Sequence, residues 1–278
     1  CIRDRNRKLH AAPSSFSDNG TDFGSPDVKV INPPRIGILK GSGVSSESFG
    51  TLWHFFETQL QYPVTNIESS NLNRSSLSKF NILIFPEGWY SKILTENMLT
   101  DLKEWVKDGG KIIVMGRASG SFEGKEGFDL TKNKDDEKDE EKDEEEPNLT
   151  PYDQRERESV KDFISGSIYK VNIDASHPMA FGYGETYYSL KQGNSSYKFL
   201  KKGYNVGYIK DEAVSVSGFS GDDAKSGLKN SLIFGEARMG LGSIIYLVDD
   251  VLFRSFWENG KLFFANALFF VNDNKEEL

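Results

Sequence analysis

The sequence predicts an α/β protein: a doubly wound, mainly parallel sheet with a β-rich second half. Three observations carry this. Short apolar runs of four to six residues recur at 35–40, 63–67, 80–85 and 111–115, the pattern of strands buried on both faces. Between them lie two stretches with apolar residues at helical spacing, 48–60 and 94–108. After residue 158 the runs lengthen and crowd together, with little between them that reads as helix.

Each element has its own local signal. The first 30 residues lack periodicity and are rich in Ser, Asp, Gly and Pro, so they read as a linker or the tail of a preceding domain, closed by Pro33-Pro34. The first strand, 35–40, exits through Gly41-Ser42-Gly43. The helix over 48–60 sets Phe49, Leu52, Trp53, Phe56 and Leu60 on one face. Strands over 63–67 and 80–85 follow, the latter stopped by Pro86. Thr95 is placed to cap the helix 94–108, which turns Leu99, Leu102, Trp105 and Val106 inward and stops at Gly109-Gly110. In the second half, strands are expected at 167–173, 186–190, 204–209, 213–217, 231–236 and 242–248, before a last apolar helix at 261–270. This alternation is flavodoxin-like, over a domain spanning 31–272.

Residues 123–158 interrupt the pattern. At their centre, 134–146 holds ten acidic residues and three lysines, so it carries nearly all of the chain's net charge of -8. Such a stretch buries too little apolar area to offset its ordering entropy, and it reads as an acidic, largely disordered insertion. It lacks the spaced Asp/Asn/Gly pattern of a calcium loop. The remainder is near neutral, which gives nucleic acid no basic face. No apolar run approaches the roughly 18 residues of a membrane span. The single cysteine, Cys1, rules out a disulfide within the chain and any cysteine-based zinc site. It reads as a fragment end or as a lipidated N-terminus.

The turn after the fourth strand, Gly116-Arg117-Ala118-Ser119-Gly120, resembles the elbow of class I glutamine amidotransferases, where G-x-C-x-G exposes a cysteine nucleophile. In that frame Ala118 takes the nucleophile position, and a methyl group cannot attack an amide. The region that should carry the family's histidine, Asp249-Asp250-Val251-Leu252-Phe253-Arg254, has none. The resemblance therefore implies the fold without catalysis, and no catalytic residue is assigned. A second resemblance covers most of the chain from Pro34 onward. Ser176-His177-Pro178-Met179-Ala180-Phe181-Gly182-Tyr183-Gly184, Phe253-Arg254-Ser255-Phe256-Trp257 and Asn266-Ala267-Leu268-Phe269-Phe270 are similar to the C-terminal region of large secreted bacterial zinc carboxypeptidases. It implies a secreted, periplasmic or cell-surface bacterial setting, an export signal upstream, and an upstream peptidase domain of the same polypeptide as partner. Zinc would belong to that domain, and no cofactor or metal is expected here.

Candidate ligand-binding residues follow from the rule that open parallel sheets bind at the carboxyl ends of their strands. Glu87, Trp89 and Tyr90 follow the third strand, Arg117 and Ser119 the fourth. Trp89 and Tyr90 could stack on a sugar or a peptide, and Arg117 could hold a carboxylate. His177 joins the candidates as a polar group at a strand end, where such a residue more often fixes a turn. Arg254 reads as the partner of Asp250 in an ion pair holding the last helix. The Gly41-Ser42-Gly43 turn could cradle a phosphate but lacks a P-loop lysine. His54-Phe55-Phe56-Glu57 matches H-x-x-E, yet it sits in an amphipathic helix among aromatic residues. The expected function is an accessory domain that docks on a peptidase domain or binds a peptide or glycan at the carboxyl rim. One alternative is a hydrolase using Ser119, His177 and Glu87, which requires the three to converge. The other is a purely structural module, which requires no pocket and buries both Trp89 and Tyr90.

Overall fold

The computed structural model describes residues 10–25, 28, 32–133 and 151–271. The chain divides into a short unit, Cys1–Asn32, and the main unit, Pro33–Leu278. In the first, the described residues form turns, with the Phe23 amide donating to the Ser15 carbonyl at 2.8 Å.

The main unit is built on one ten-stranded sheet. Its strands are β1 (Ile36–Lys40), β2 (Thr65–Glu68), β3 (Ile82–Phe85), β4 (Lys111–Met115), β5 (Ile164–Ile173), β6 (Thr186–Lys191), β7 (Gly203–Ile209), β8 (Ser215–Ser220), β9 (Ser231–Met239) and β10 (Gly242–Leu247). They lie in the order β2-β1-β3-β4-β10-β9-β7-β5-β6, with β8 pairing β5 off this path. The first five in this order are mutually parallel. From β9 onward every pairing is antiparallel. The expected parallel half and β-rich half thus form one continuous sheet.

Alternation along the central strands divides the core in two. Ile36 and Ile38, Ile82 and Ile84, Ile113 and Met115, and Ile245 and Leu247 face one side. Leu39, Leu83 and Phe85, Ile112 and Val114, and Ile244 and Tyr246 face the other. The first side is covered by α1 (Ser46–His54) and α6 (Glu258–Phe269), the second by α3 (Glu96–Lys107). Thr95 caps α3 as its sequence position requires, accepting from the Met98 amide at 3.3 Å. Three further short helices are α2 (Arg74–Leu77), α4 (Tyr152–Lys161) and α5 (Asp222–Gly227).

Three local expectations are corrected. The helix over 48–60 widens into a π turn at Phe55–Leu60. Neighbouring Phe55 and Phe56 both pack against Phe264, at 5.6 and 6.1 Å between ring centres, and the apolar face rotates so that Trp53 is half exposed. The insertion is narrower than 123–158. Phe128 and Leu130 are fully buried, the Phe128 carbonyl accepts the Tyr246 hydroxyl at 2.6 Å, and α4 begins at Tyr152. Those two apolar anchors are hidden in sequence by the charged residues around them. The acidic centre of the stretch, and Cys1, lie outside the described residues. Finally, Arg254 forms no ion pair with Asp250. It is exposed, with left-handed backbone (φ 48°) and its guanidinium 5.1 Å from the Phe253 ring centre.

Candidate functional site

Loops from the carboxyl ends of β1, β3, β4 and β10, joined by the end of β6, enclose a cleft of about 430 Å3. Its position agrees with the strand-end rule for open α/β sheets. Glu87, Arg117, Lys191, Asp249, Asp250 and Arg254 bring charge into it, with Glu47 at the edge.

The cleft is built on two tight turns. After β1, the Gly43 carbonyl accepts the Trp89 amide at 2.7 Å, and a Cβ on Gly88 would sit 2.2 Å from that same carbonyl oxygen. The Gly41-Ser42-Gly43 turn thus packs directly against the loop after β3, and its glycines serve this close approach. The first turn of α1 then fixes Glu87, whose amide donates to Ser48 Oγ at 3.0 Å and whose carbonyl accepts the Ser45 amide at 2.8 Å. After β4, Gly116 turns the chain with φ +51°, and a Cβ there would lie 2.1 Å from Glu87 Oε1. The left-handed apex of the elbow is therefore Gly116. Ala118, expected above the sheet, is fully buried in the α3-side core. Ser119 is also fully buried, and its Oγ makes no hydrogen bond among the described residues.

Buried charge dominates the floor. Asp249, just past β10, accepts the Ser189 hydroxyl at 2.6 Å and the Lys191 ammonium at 3.0 Å. Lys191 also donates to the Ser195 carbonyl at 3.1 Å. The Lys191 and Asp249 side chains are only 2% and 6% exposed, so this ion pair is desolvated and costly to break. Asp250 accepts the Leu252 amide at 2.9 Å. Burial, reinforced by the Glu87 and Asp249 carboxylates, pushes its pKa up to about 6. Burial also raises Glu87, against the opposing pull of Arg117, whose guanidinium lies 3.7 Å from Glu87 Oε2.

The candidate residues separate. Glu87 and Arg117 line the cleft. Trp89 stands on the surface at 68% exposure outside it, while Tyr90 is fully buried, its ring against Phe85 and its hydroxyl on the Pro86 carbonyl at 2.7 Å. Tyr90 is thus core, because its hydroxyl finds a partner within the loop. His177 is not part of the cleft lining. Its Nδ1 accepts the Met179 amide at 3.2 Å, which caps the turn Pro178–Ala180 and leaves Nε2–H to donate to Glu236 at 2.9 Å. Arg238 holds the other Glu236 oxygen and lies over Tyr204. With His177 engaged there and Ser119 buried without a partner, the Ser119, His177 and Glu87 set does not assemble. His54 is exposed beside Thr58, and no group of three or more His, Cys, Asp or Glu among the described residues is arranged to hold a metal ion.

Sequence reasoning missed Lys191, Asp249 and Asp250 as site residues. The acidic pair immediately follows a strand end, so the rule that selected Glu87 and Arg117 applies to it equally.

Comparison with solved structures places this arrangement. A GMP synthase-type protein of Thermoplasma acidophilum superposes with a TM-score of 0.50 at 11% identity, over 84% of this chain and 92% of the other. The fold is glutamine-amidotransferase-like. A ThuA-like protein of Parabacteroides merdae superposes equally well, with a TM-score of 0.50 at 12% identity, over 85% of this chain and 89% of its own. At these identities the likeness concerns the fold alone. No protein-family model and no curated protein matches the sequence.

Proposed function

We propose that this chain is a non-catalytic, glutamine-amidotransferase-like module of a secreted bacterial zinc carboxypeptidase-like protein. It docks on the peptidase domain of that polypeptide and receives a peptide or glycan in the cleft at the carboxyl rim. The observation that carries the reading is the elbow itself. Its apex is Gly116, closed off by Glu87 where any side chain would project, with Ala118 buried behind it. The elbow therefore presents no nucleophile to the cleft, while the cleft itself is walled by a buried ion pair. The association with a peptidase rests on the sequence resemblance of 176–184, 253–257 and 266–270.

The test has two arms. The chain is incubated with glutamine and with fluorogenic amides and esters, and it is titrated calorimetrically against the separately produced peptidase domain. The expected result is no turnover above buffer, with saturable binding to the peptidase domain. Turnover that disappears in Glu87→Gln would refute the non-catalytic reading, and absence of binding would remove the docking role.

A further inference from the structure

The cleft already receives one ammonium group from the protein itself. Lys191 Nζ sits between Asp249 Oδ1 at 3.0 Å and the Ser195 carbonyl at 3.1 Å. Beside it, Asp250 offers a further acceptor. It commits Oδ1 to the Leu252 amide, and its Oδ2 makes no hydrogen bond among the described residues. Glu87 accepts the Arg117 backbone amide and faces the Arg117 guanidinium at 3.7 Å, a contact longer than a hydrogen bond, so a second cation can share its carboxylate. Both carboxylates are largely withdrawn from water, and each is destabilised as an anion by the other acids of the cleft. A cation entering between them relieves burial and repulsion together. The described donors are not arranged for a metal ion. The volume, about 430 Å3, is instead in the range of sites for organic ligands.

We propose that the cleft binds a primary ammonium group of a peptide, a lysine side chain or a free N-terminus, between Asp250 and Glu87. This rests on the reading of the chain as a binding module and narrows its ligand to an amine-bearing peptide.

The experiment is calorimetric titration of the full chain with defined probes. Nα-acetyl-lysine methylamide presents a side-chain ammonium, alanyl-alanine amide an N-terminal one, and the N-acetylated form of each is its neutral match. An uncharged N-acetylglucosamine oligomer serves as the glycan control. At least one amine probe should bind, at least tenfold more tightly than its acetylated partner, and which one binds distinguishes the two sources. Asp250→Asn should weaken that binding at least tenfold with the melting temperature kept or raised. Glu87→Gln is the second variant should Asp250→Asn fold poorly. Equal binding of free and acetylated probes overturns the inference, as does binding of the oligosaccharide alone, and either result leaves the binding-module reading intact. If no probe binds, the inference is wrong, and the module reading then stands or falls on the peptidase-domain titration.

Discussion

Among the described residues, each half of the sheet buries one lysine, and the two lysines are treated differently. Lys111 opens β4 in the parallel half. Its ammonium donates to the Ala267 and Leu268 carbonyls at 3.0 and 2.8 Å, in the last turn of α6. There it satisfies orphan carbonyls and complements the negative end of the helix. Lys191 ends β6 in the antiparallel half, and it crosses to Asp249 at the end of β10. It joins two strands far apart in the sheet order and forms part of the cleft wall. A buried cation on carbonyls is architecture, whereas a buried cation on a carboxylate beside a cleft sets the electrostatics of a site.

That comparison breaks if the two lysines cost the same to remove. Lys191→Met leaves Asp249 charged and buried without its counter-ion and should destabilise the chain by about 3–5 kcal/mol in urea unfolding. The double variant Lys191→Met/Asp249→Leu removes both charges and should recover most of that loss. Lys111→Met removes the ammonium from the Ala267 and Leu268 carbonyls and should cost about 1–3 kcal/mol. A Lys111→Met cost above that of Lys191→Met would invert the assignment.

The elbow tests the same contrast within the parallel half. Gly116→Ala places an L residue at φ +51° and drives its methyl into Glu87 Oε1. The Glu87 side chain can swing aside, so the expected loss is about 1–3 kcal/mol, mostly backbone strain. The displaced carboxylate should also weaken binding of the amine probe, which a purely architectural glycine would leave unchanged.

Asp250 should act in the opposite direction. Its pKa is raised to about 6 in the folded chain, above the ordinary aspartate range, so the folded state holds the proton more tightly than the unfolded state. Its contribution to stability is fully present below about pH 4 and is lost as pH rises through about 6. Above that, the buried carboxylate is a liability on the order of 1–3 kcal/mol, the equivalent of one to two pKa units. Asp250→Asn keeps an acceptor for the Leu252 amide and should raise the melting temperature at pH 7.5, with little change at pH 4. A variant equally destabilised at both pH values would show that burial of Asp250 carries no such cost.

The central strands of the parallel half were legible in the sequence because two-sided burial makes them continuous apolar runs, whereas β2, expected at 63–67 and found at Thr65–Glu68, is an exposed edge. The expected 111–115 coincides with β4, and 35–40 and 80–85 differ from β1 and β3 by one or two residues at the start. The antiparallel half was legible where burial alternates, as in β6, or covers both faces, as in β9. It blurred at β8, expected at 213–217 and found at Ser215–Ser220, where most of the strand is exposed and no burial alternation fixes the limits. Helices α2 and α5, of four and six residues, are too short for periodicity to show. Within the site, Glu87 and Arg117 followed from their strand ends. Trp89 and Tyr90, expected to share one role, parted with respect to solvent because which neighbour turns inward depends on the Pro86 carbonyl as a hydroxyl partner, a contact no spacing encodes. Lys191 was hidden for a larger reason: nothing in the sequence says that β6, at the sheet's far edge, ends beside β10.

The smallest expected effect sharpens this point about burial. Val216 on β8 is 51% exposed, whereas Val114 on β4 is fully buried between sheet and α3. Val→Thr is nearly isosteric and replaces one methyl by a hydroxyl. At Val216 the hydroxyl stays in water, and the change should fall within about 0.5 kcal/mol of zero. At Val114 the same hydroxyl enters a core lined by Leu83, Phe85 and Leu102, and the change should cost about 1–3 kcal/mol. Equal losses at the two positions in urea unfolding would mean that the exposed face of β8 is covered in solution, and that the antiparallel half carries a contact surface there as well as the wall of the cleft.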